Sequence, residues 1–371
     1  MNKPIYVTQP SLPELEELLP YLQEIWKHKI LTNNGPFHKQ FENELAAFLQ
    51  VPYLSLMANG TLALLTALKA LHITGDVITT PYSFVATAHS LLWNNINPVF
   101  VDVDPVFGNL NPEKIEAAIT KATTAILPVH TYGNPCEIEK INTIASAHQL
   151  KVIYDAAHSF GVLHLGKSIA NYGDVSVLSF HATKVFNTLE GGAIICHDAS
   201  TKKQIDYLKN FGFADETTVM MPGINSKMNE VQAALGLVQL NHVKENILKR
   251  QQVATRYTQL LTDIKGLRLM PSAADDTVAN YAYFPIFVDE PNYGCSRDSL
   301  YEKLKAQNIF ARRYFFPLIS EFSMYQQLPT SNKENLQEAH KLANSVLCLP
   351  IYPELEEQTI VTICNLIKAT S

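Results

Sequence analysis

Lys184 closes the run Ser179-Phe180-His181-Ala182-Thr183-Lys184, directly behind the apolar stretch Val175 to Leu178. An amine at the edge of a buried sheet loses hydration; low-dielectric surroundings or a cationic neighbour then lower its pKa and free its lone pair for Schiff-base chemistry. The plainer reading is a solvated lysine. Asp155 ends a second apolar run, Val152 to Tyr154, and opens Asp155-Ala156-Ala157-His158. A carboxylate buried there needs a cationic or hydrogen-bonding partner. His158 either fills the core or touches a bound ring. Asn59-Gly60-Thr61 follows Tyr53 to Met57 and begins a helical pattern. Glycine lets the backbone approach an anion, Thr61 adds a hydroxyl, and the N–H groups of a first helical turn are free to bind it. The plainer reading, favoured for the triplet taken alone, is a helix cap through Asn59 or Thr61.

These residues share a position: each lies just past an apolar run. Candidate strands are Val77 to Thr80, Pro98 to Val103, Thr124 to His130, Lys151 to Asp155, Val175 to Phe180 and Ala193 to Cys196. Helical spacing of apolar residues marks Thr61 to Leu71, Ala86 to Asn94, Asn111 to Thr120 and Glu137 to Gln149. Alternation of the two predicts an α/β fold, and nearly all-apolar strands predict a mostly parallel sheet covered by helices on both faces. In such sheets ligands gather at the carboxyl ends of the strands, where Ser83-Phe84 also falls. A further helix is predicted from about Met228 through Gln259. After Gly266 the pattern changes to shorter pieces rich in Tyr, Phe and Pro, so a large domain over 1–244 and a smaller α+β domain over 245–371 are expected.

Composition narrows the function classes. The chain has 371 residues, 47% hydrophobic and 17% charged, enough for a large core. Its formal charge of -6 comes without long like-charge runs, which argues against nucleic acid or an anionic membrane as partner. Five scattered cysteines, none in a C-x-x-C pair, suggest neither a disulfide framework nor a metal site and fit a reducing cytoplasm. No stretch reaches the ~18 continuous apolar residues of a membrane span. No arginine precedes Arg250, so a phosphate held by the large domain must rely on backbone N–H groups, hydroxyls, asparagine or lysine. Arg312 and Arg313 precede Tyr314-Phe315-Phe316-Pro317 and suit either a second anion or a solvated edge.

Leu31 to Pro36, Asn59-Gly60-Thr61, Pro81 to Phe84, Asp155 to His158, Ser179 to Lys184, Gly223 to Ala234 and Arg313 to Leu318 together resemble the DegT/DnrJ/StrS family of sugar aminotransferases, in order and spacing. The resemblance implies the fold of the type I pyridoxal 5'-phosphate enzymes. By it, Lys184 carries the cofactor covalently, Asp155 pairs with the pyridinium nitrogen, Phe84 stacks on the ring and His158 lies beside the ring hydroxyl. Gly60, Thr61 and Ser179 would hold the phosphate. Asn229 matches an asparagine that reaches the phosphate from the neighbouring subunit, implying a homodimer with shared active sites. Ser226-Lys227 departs from the family pattern, in which an aromatic or small residue and an arginine are more usual.

The implied reaction moves an amino group from L-glutamate to a nucleotide-linked keto sugar in two half-reactions. Lys184 serves as anchor and as general acid/base; relatives that dehydrate carry histidine there. Phe180 to Lys184, followed by Leu189-Glu190-Gly191-Gly192, is most similar to the branch that converts dTDP-4-keto-6-deoxy-D-glucose to dTDP-4-amino-4,6-dideoxy-D-glucose. This is deoxyamino-sugar chemistry of the kind that feeds a lipopolysaccharide O-antigen. Asn33, His181, Arg313 and Tyr314 are the expected sugar-nucleotide contacts. The alternatives are a 3-keto-6-deoxy dTDP-hexose, a UDP-linked 4-keto sugar, or a non-catalytic binding or regulatory protein of this fold. A nicotinamide enzyme is disfavoured because no G-x-G-x-x-G follows a strand.

Overall fold

A computed structural model describes residues 3–272 and 276–370. Its centre is a sheet of seven strands: β1 (Tyr53–Met57), β2 (Asp76–Thr79), β3 (Asn97–Phe100), β4 (Thr123–Leu127), β5 (Lys151–Asp155), β6 (Val175–Ser179) and β7 (Gly192–Cys196). The order is β1-β7-β6-β5-β4-β2-β3, and only β7 runs antiparallel to its neighbours. Successive side chains point to opposite faces, so Val77 and Ile78 enter different cores. On one face lie α3 (Gly60–Ala70) and α6 (Ala199–Leu208), with Leu64, Leu68 and Ile205 buried. The other is covered by α5 (Ile138–His148), α2 (Pro36–Leu49) and the start of α7 (Glu230–Leu261). Two more helices, α1 (Leu15–His28) and α4 (Ala86–Trp93), complete the large lobe.

The mostly parallel sheet agrees with the sequence reading. One predicted helix does not form: Asn111 to Thr120 is two 3-10 turns, Pro112–Lys114 and Glu116–Ala118. Each turn closes on itself, through Ile115 N to Pro112 O and Ile119 N to Glu116 O, and the Thr120 amide is captured by Thr123 Oγ1. That leaves no i to i-4 ladder to extend.

The C-terminal lobe has a three-stranded antiparallel sheet, β8 (Leu267–Leu269), β9 (Phe284–Val288) and β10 (Val346–Leu349), covered by α8 (Arg297–Ala306) and α10 (Glu357–Lys368). Helix α9 (Gln337–Ser345) packs between the lobes. Helix α7 passes through Lys244 without interruption: Ala233 and Leu237 lie in the large-lobe core, Tyr257 and Leu261 in the other. The chain start also crosses over, since Ile5–Tyr6 pairs in parallel with Ile309–Phe310. Among the described residues no helix is long and apolar enough to cross a membrane.

Candidate active site

The carboxyl ends of β1, β5 and β6 carry Gly60, Asp155, Ser179 and Lys184, with Gly60 against Ser179 and Lys184 within electrostatic reach of Asp155. Helix α3 begins where β1 ends because Asn59 caps it, its side chain accepting from Leu62 N at 2.8 Å. The capping reading of that triplet therefore holds for Asn59, while Gly60 and Thr61 occupy the first helical turn. Gly60 faces Ser179: a Cβ on residue 60 would stand 2.8 Å from Ser179 Cβ and 3.0 Å from its hydroxyl. Backbone amides of a helix start and a serine hydroxyl thus share one concave corner, the donor set an anion needs where no arginine is at hand.

Asp155 is 5% exposed and forms no ion pair among the described residues. Its Oδ2 accepts from Thr87 Oγ1 at 2.8 Å, and Oδ1 accepts from Ala157 N at 3.1 Å. Burial raises its pKa; the two hydrogen bonds and the charge of Lys184 work the other way. Lys184 is pushed down to about 8 by burial, against the pull of Asp155. Near neutral pH a useful fraction of its amine is therefore unprotonated, which is what a nucleophile or base requires. Its Nζ donates to Tyr283 Oη at 3.4 Å.

His158 is buried, held far below the ordinary histidine pKa by desolvation and then by the Lys184 charge, and so is neutral. Its ring stacks on Phe315 at 5.6 Å and meets Tyr283 edge-on at 5.0 Å, while its Nδ1 has no partner in the described structure. Phe84, in the turn between β2 and α4, is 59% exposed. Tyr314 packs edge-on against Tyr283, and its carbonyl accepts from the hydroxyls of Tyr82 and Tyr132.

The other expected residues lie farther out. His181 is exposed, bonded to Thr183 Oγ1 at 2.8 Å, with Glu190 Oε1 3.7 Å from its Nε2. Asn33 is exposed in the loop between α1 and α2, in the left-handed region with φ 61°. Asn229 caps α7, its side-chain oxygen accepting from Gln232 N at 2.9 Å. Arg313 donates to Asp298 Oδ1 at 2.9 Å and stacks over Tyr301, so its guanidinium is engaged on the C-terminal lobe. Sequence reasoning missed Thr87, Tyr283 and Phe315. Thr87 had a local signal, since it stands one helical turn after Ser83, whose hydroxyl it contacts at 2.9 Å. Tyr283 had none.

A buried amine of lowered pKa, a buried carboxylate, a neutral imidazole and an anion corner can together hold an anionic ligand bearing a carbonyl and move protons beside it. Comparison with known proteins agrees with this chemistry. A dTDP-4-amino-4,6-dideoxy-D-glucose transaminase of Escherichia coli is 52% identical over 369 residues, covering 99% of this chain and 98% of that protein. The crystal structure of DesI in the presence of its TDP-sugar product superposes with a TM-score of 0.94 at 33% identity, covering 100% of this chain and 93% of that one. NtdA from Bacillus subtilis with bound cofactor PMP gives 0.86 at 28% identity, covering 97% and 82%. The profile of the DegT/DnrJ/EryC1/StrS aminotransferase family matches residues 14–368, and the chain belongs to that family.

Proposed function

We propose that this chain is a pyridoxal 5'-phosphate-dependent aminotransferase that transfers the amino group of L-glutamate to dTDP-4-keto-6-deoxy-D-glucose, giving dTDP-4-amino-4,6-dideoxy-D-glucose. The observation that carries the choice of sugar is 52% identity, over nearly the full length of both chains, to the transaminase of that name.

The residues present fit the cofactor. Gly60 keeps the corner beside Ser179 open, so the Gly60 and Thr61 amides with the Ser179 hydroxyl would hold its phosphate. The buried Asp155 carboxylate, without an ion-pair partner in the described structure, suits a protonated ring nitrogen. The unpartnered His158 Nδ1 has a lone pair or a proton for a ring substituent. Phe84 offers its exposed face for stacking, and Lys184 would be the covalent anchor. When bound, pyridoxal phosphate supplies an electrophilic carbon and an electron-accepting ring.

The chain's own contribution is positional and electrostatic. Lys184, neutral in part because it is desolvated, takes the proton from the α-carbon of the donor at Nζ and holds it for return. Thr87 and the Ala157 amide favour the ionised form of Asp155 against its burial, and an ionised carboxylate keeps a neighbouring ring N–H protonated. Tyr283 and Phe315 close the site around His158 and restrict water.

A homodimer with shared sites completes the reading. Phe211, Phe213, Val219, Met220 and Ile224 lie in one exposed segment just before Asn229, an apolar surface suited to a second copy of the chain. Asn229 would then serve the partner's phosphate. The deciding experiment combines the protein with L-glutamate and a panel of dTDP- and UDP-linked keto sugars, followed by NMR of the product. Nitrogen at C4 of a dTDP-hexose is the expected result; nitrogen at C3, or preference for a UDP-sugar, would refute the assignment of the acceptor. Failure of glutamate to bleach the cofactor band would refute the aminotransferase reading itself.

A further inference from the structure

Helix α2 starts without a cap of its own. Its N-cap, Gly35, has no side chain, and Pro36 has no N–H, so the amides of Phe37 and His38 need acceptors from elsewhere. Glu230 supplies both: Oε2 accepts from Phe37 N at 2.9 Å and Oε1 from His38 N at 2.8 Å. The carboxylate is buried, with Glu230 1% exposed, and its charge is set against the positive end of the helix dipole. It also occupies the space that a side chain on residue 35 would need. A Cβ there would lie 2.5 Å from Glu230 Cδ and 2.7 Å from Oε1. Gly35 has φ -71°, which any residue adopts, and the three atoms nearest to such a Cβ all belong to the Glu230 carboxylate.

The same short segment is fastened to the anion corner. Ser226 O accepts from Ala58 N at 2.7 Å, next to Asn59, and Gln232 Nε2 donates to Glu190 O at 2.7 Å, two residues before Gly192. Glu230 N donates to Leu31 O at 2.9 Å. Residues 226–232 therefore join chain segments next to the corner, at Ala58 and Glu190, to the loop 31–35, whose Asn33 and Asn34 both take left-handed backbone.

We infer that Glu230 is a positioning residue for the sugar-nucleotide side of the site: its carboxylate caps α2 and thereby fixes the loop that carries Asn33, an expected sugar-nucleotide contact. This rests on the aminotransferase reading above. Lys184 and Asp155, on which the donor half-reaction depends, have no hydrogen bond to Glu230, Phe37 or His38 among the described residues.

The test compares wild type with Glu230→Gln, Glu230→Ala, Gly35→Ala and the double variant Gly35→Ala/Glu230→Ala. Glu230→Gln keeps one acceptor but turns an NH2 toward an N–H. It should speed amide exchange at Phe37 and His38 in the cofactor-free protein and raise the KM for the sugar nucleotide about tenfold, with single-turnover deamination of glutamate within about twofold of wild type. Gly35→Ala should reproduce that split by displacing the carboxylate. In the double variant the added methyl meets vacated space, so the two lesions should be strongly non-additive, the double no worse than Glu230→Ala alone. An unchanged sugar KM in Glu230→Gln, equal loss of both half-reactions, or simple additivity would overturn the inference. Failure of the reading beneath it would show separately, as a wild-type protein unreactive toward glutamate, and would take the inference with it.

Discussion

Thr87 Oγ1 donates to Asp155 Oδ2 at 2.8 Å, and these two residues, 68 positions apart, set the charge state of the site. Burial drives Asp155 toward its protonated form, and the Thr87 hydroxyl is the largest influence opposing it. A protonated Asp155 could not keep a neighbouring ring nitrogen charged. Thr87→Val, nearly isosteric, should therefore slow the glutamate half-reaction by about tenfold, the size of a lost hydrogen bond to a charged group of ~1.5 kcal/mol. Stopped-flow decay of the cofactor band measures this, and a wild-type rate would make Thr87 a packing residue.

The lowered pKa of Lys184 has a sign that can be read directly. Its neutral form grows as pH rises, so in the cofactor-free protein reductive methylation of Nζ should climb through a midpoint near the value of about 8 and then level off. In Asp155→Asn the midpoint should fall further, because the carboxylate is what raises it. Peptide mass spectrometry across pH 6 to about 11 follows the labelling; a midpoint near that of a solvated lysine, about 10.4, would contradict the desolvation argument.

Gly60→Ala should fold yet lose cofactor. The added methyl would lie 2.8 Å from Ser179 Cβ, and since both residues border the anion corner, the corner must close or shift. Equilibrium dialysis should show at least a tenfold weaker retention of pyridoxal phosphate, with a thermal midpoint close to wild type. Full retention would place the phosphate elsewhere.

Shared sites predict complementation. Lys184→Ala and Asn229→Asp chains should each be inactive alone, and mixing them after subunit exchange should restore part of the activity, because one composite site then carries neither change. The aspartate is chosen for its repulsion of phosphate. Mixed dimers shown to form, yet inactive, would rule the arrangement out.

Arg313 is held by Asp298, whose carboxyl lies below its usual range against its desolvation because the Arg313 hydrogen bond and Arg297 favour its charge. If the guanidinium receives the diphosphate of the sugar nucleotide, Arg313→Ala should raise the KM for that substrate about tenfold while leaving glutamate deamination within about twofold. Loss of both half-reactions to the same degree would put Arg313 on the donor or cofactor instead.

Lys184, Asp155 and Gly60 were legible in the sequence because each marks the step from an apolar strand to a polar turn, a local pattern that the parallel sheet converts into a common edge. Partners set by packing alone were not. Tyr283 meets Lys184 across 99 residues, and Glu230 meets Phe37 across 193. Nothing in the periodicity of either segment encodes those meetings. The Asn111 to Thr120 segment has helical apolar spacing, but side chains and turns at both ends take its amides first. The helix predicted from about Met228 through Gln259 runs across the 244/245 division, and periodicity alone does not tell which of its halves serves which core.

That helix constrains how the protein comes apart. Glu230–Leu261 is 32 residues, ~48 Å of continuous backbone, and both lobes bury side chains on it. Melting either lobe strips half of a single cooperative rod and bares Leu237 or Tyr257 to water. Heat and denaturant should therefore see one transition, not two, and cutting the chain at Lys244 would leave two insoluble fragments in place of two modules. The enzyme is, in mechanical terms, one piece with a shared axle.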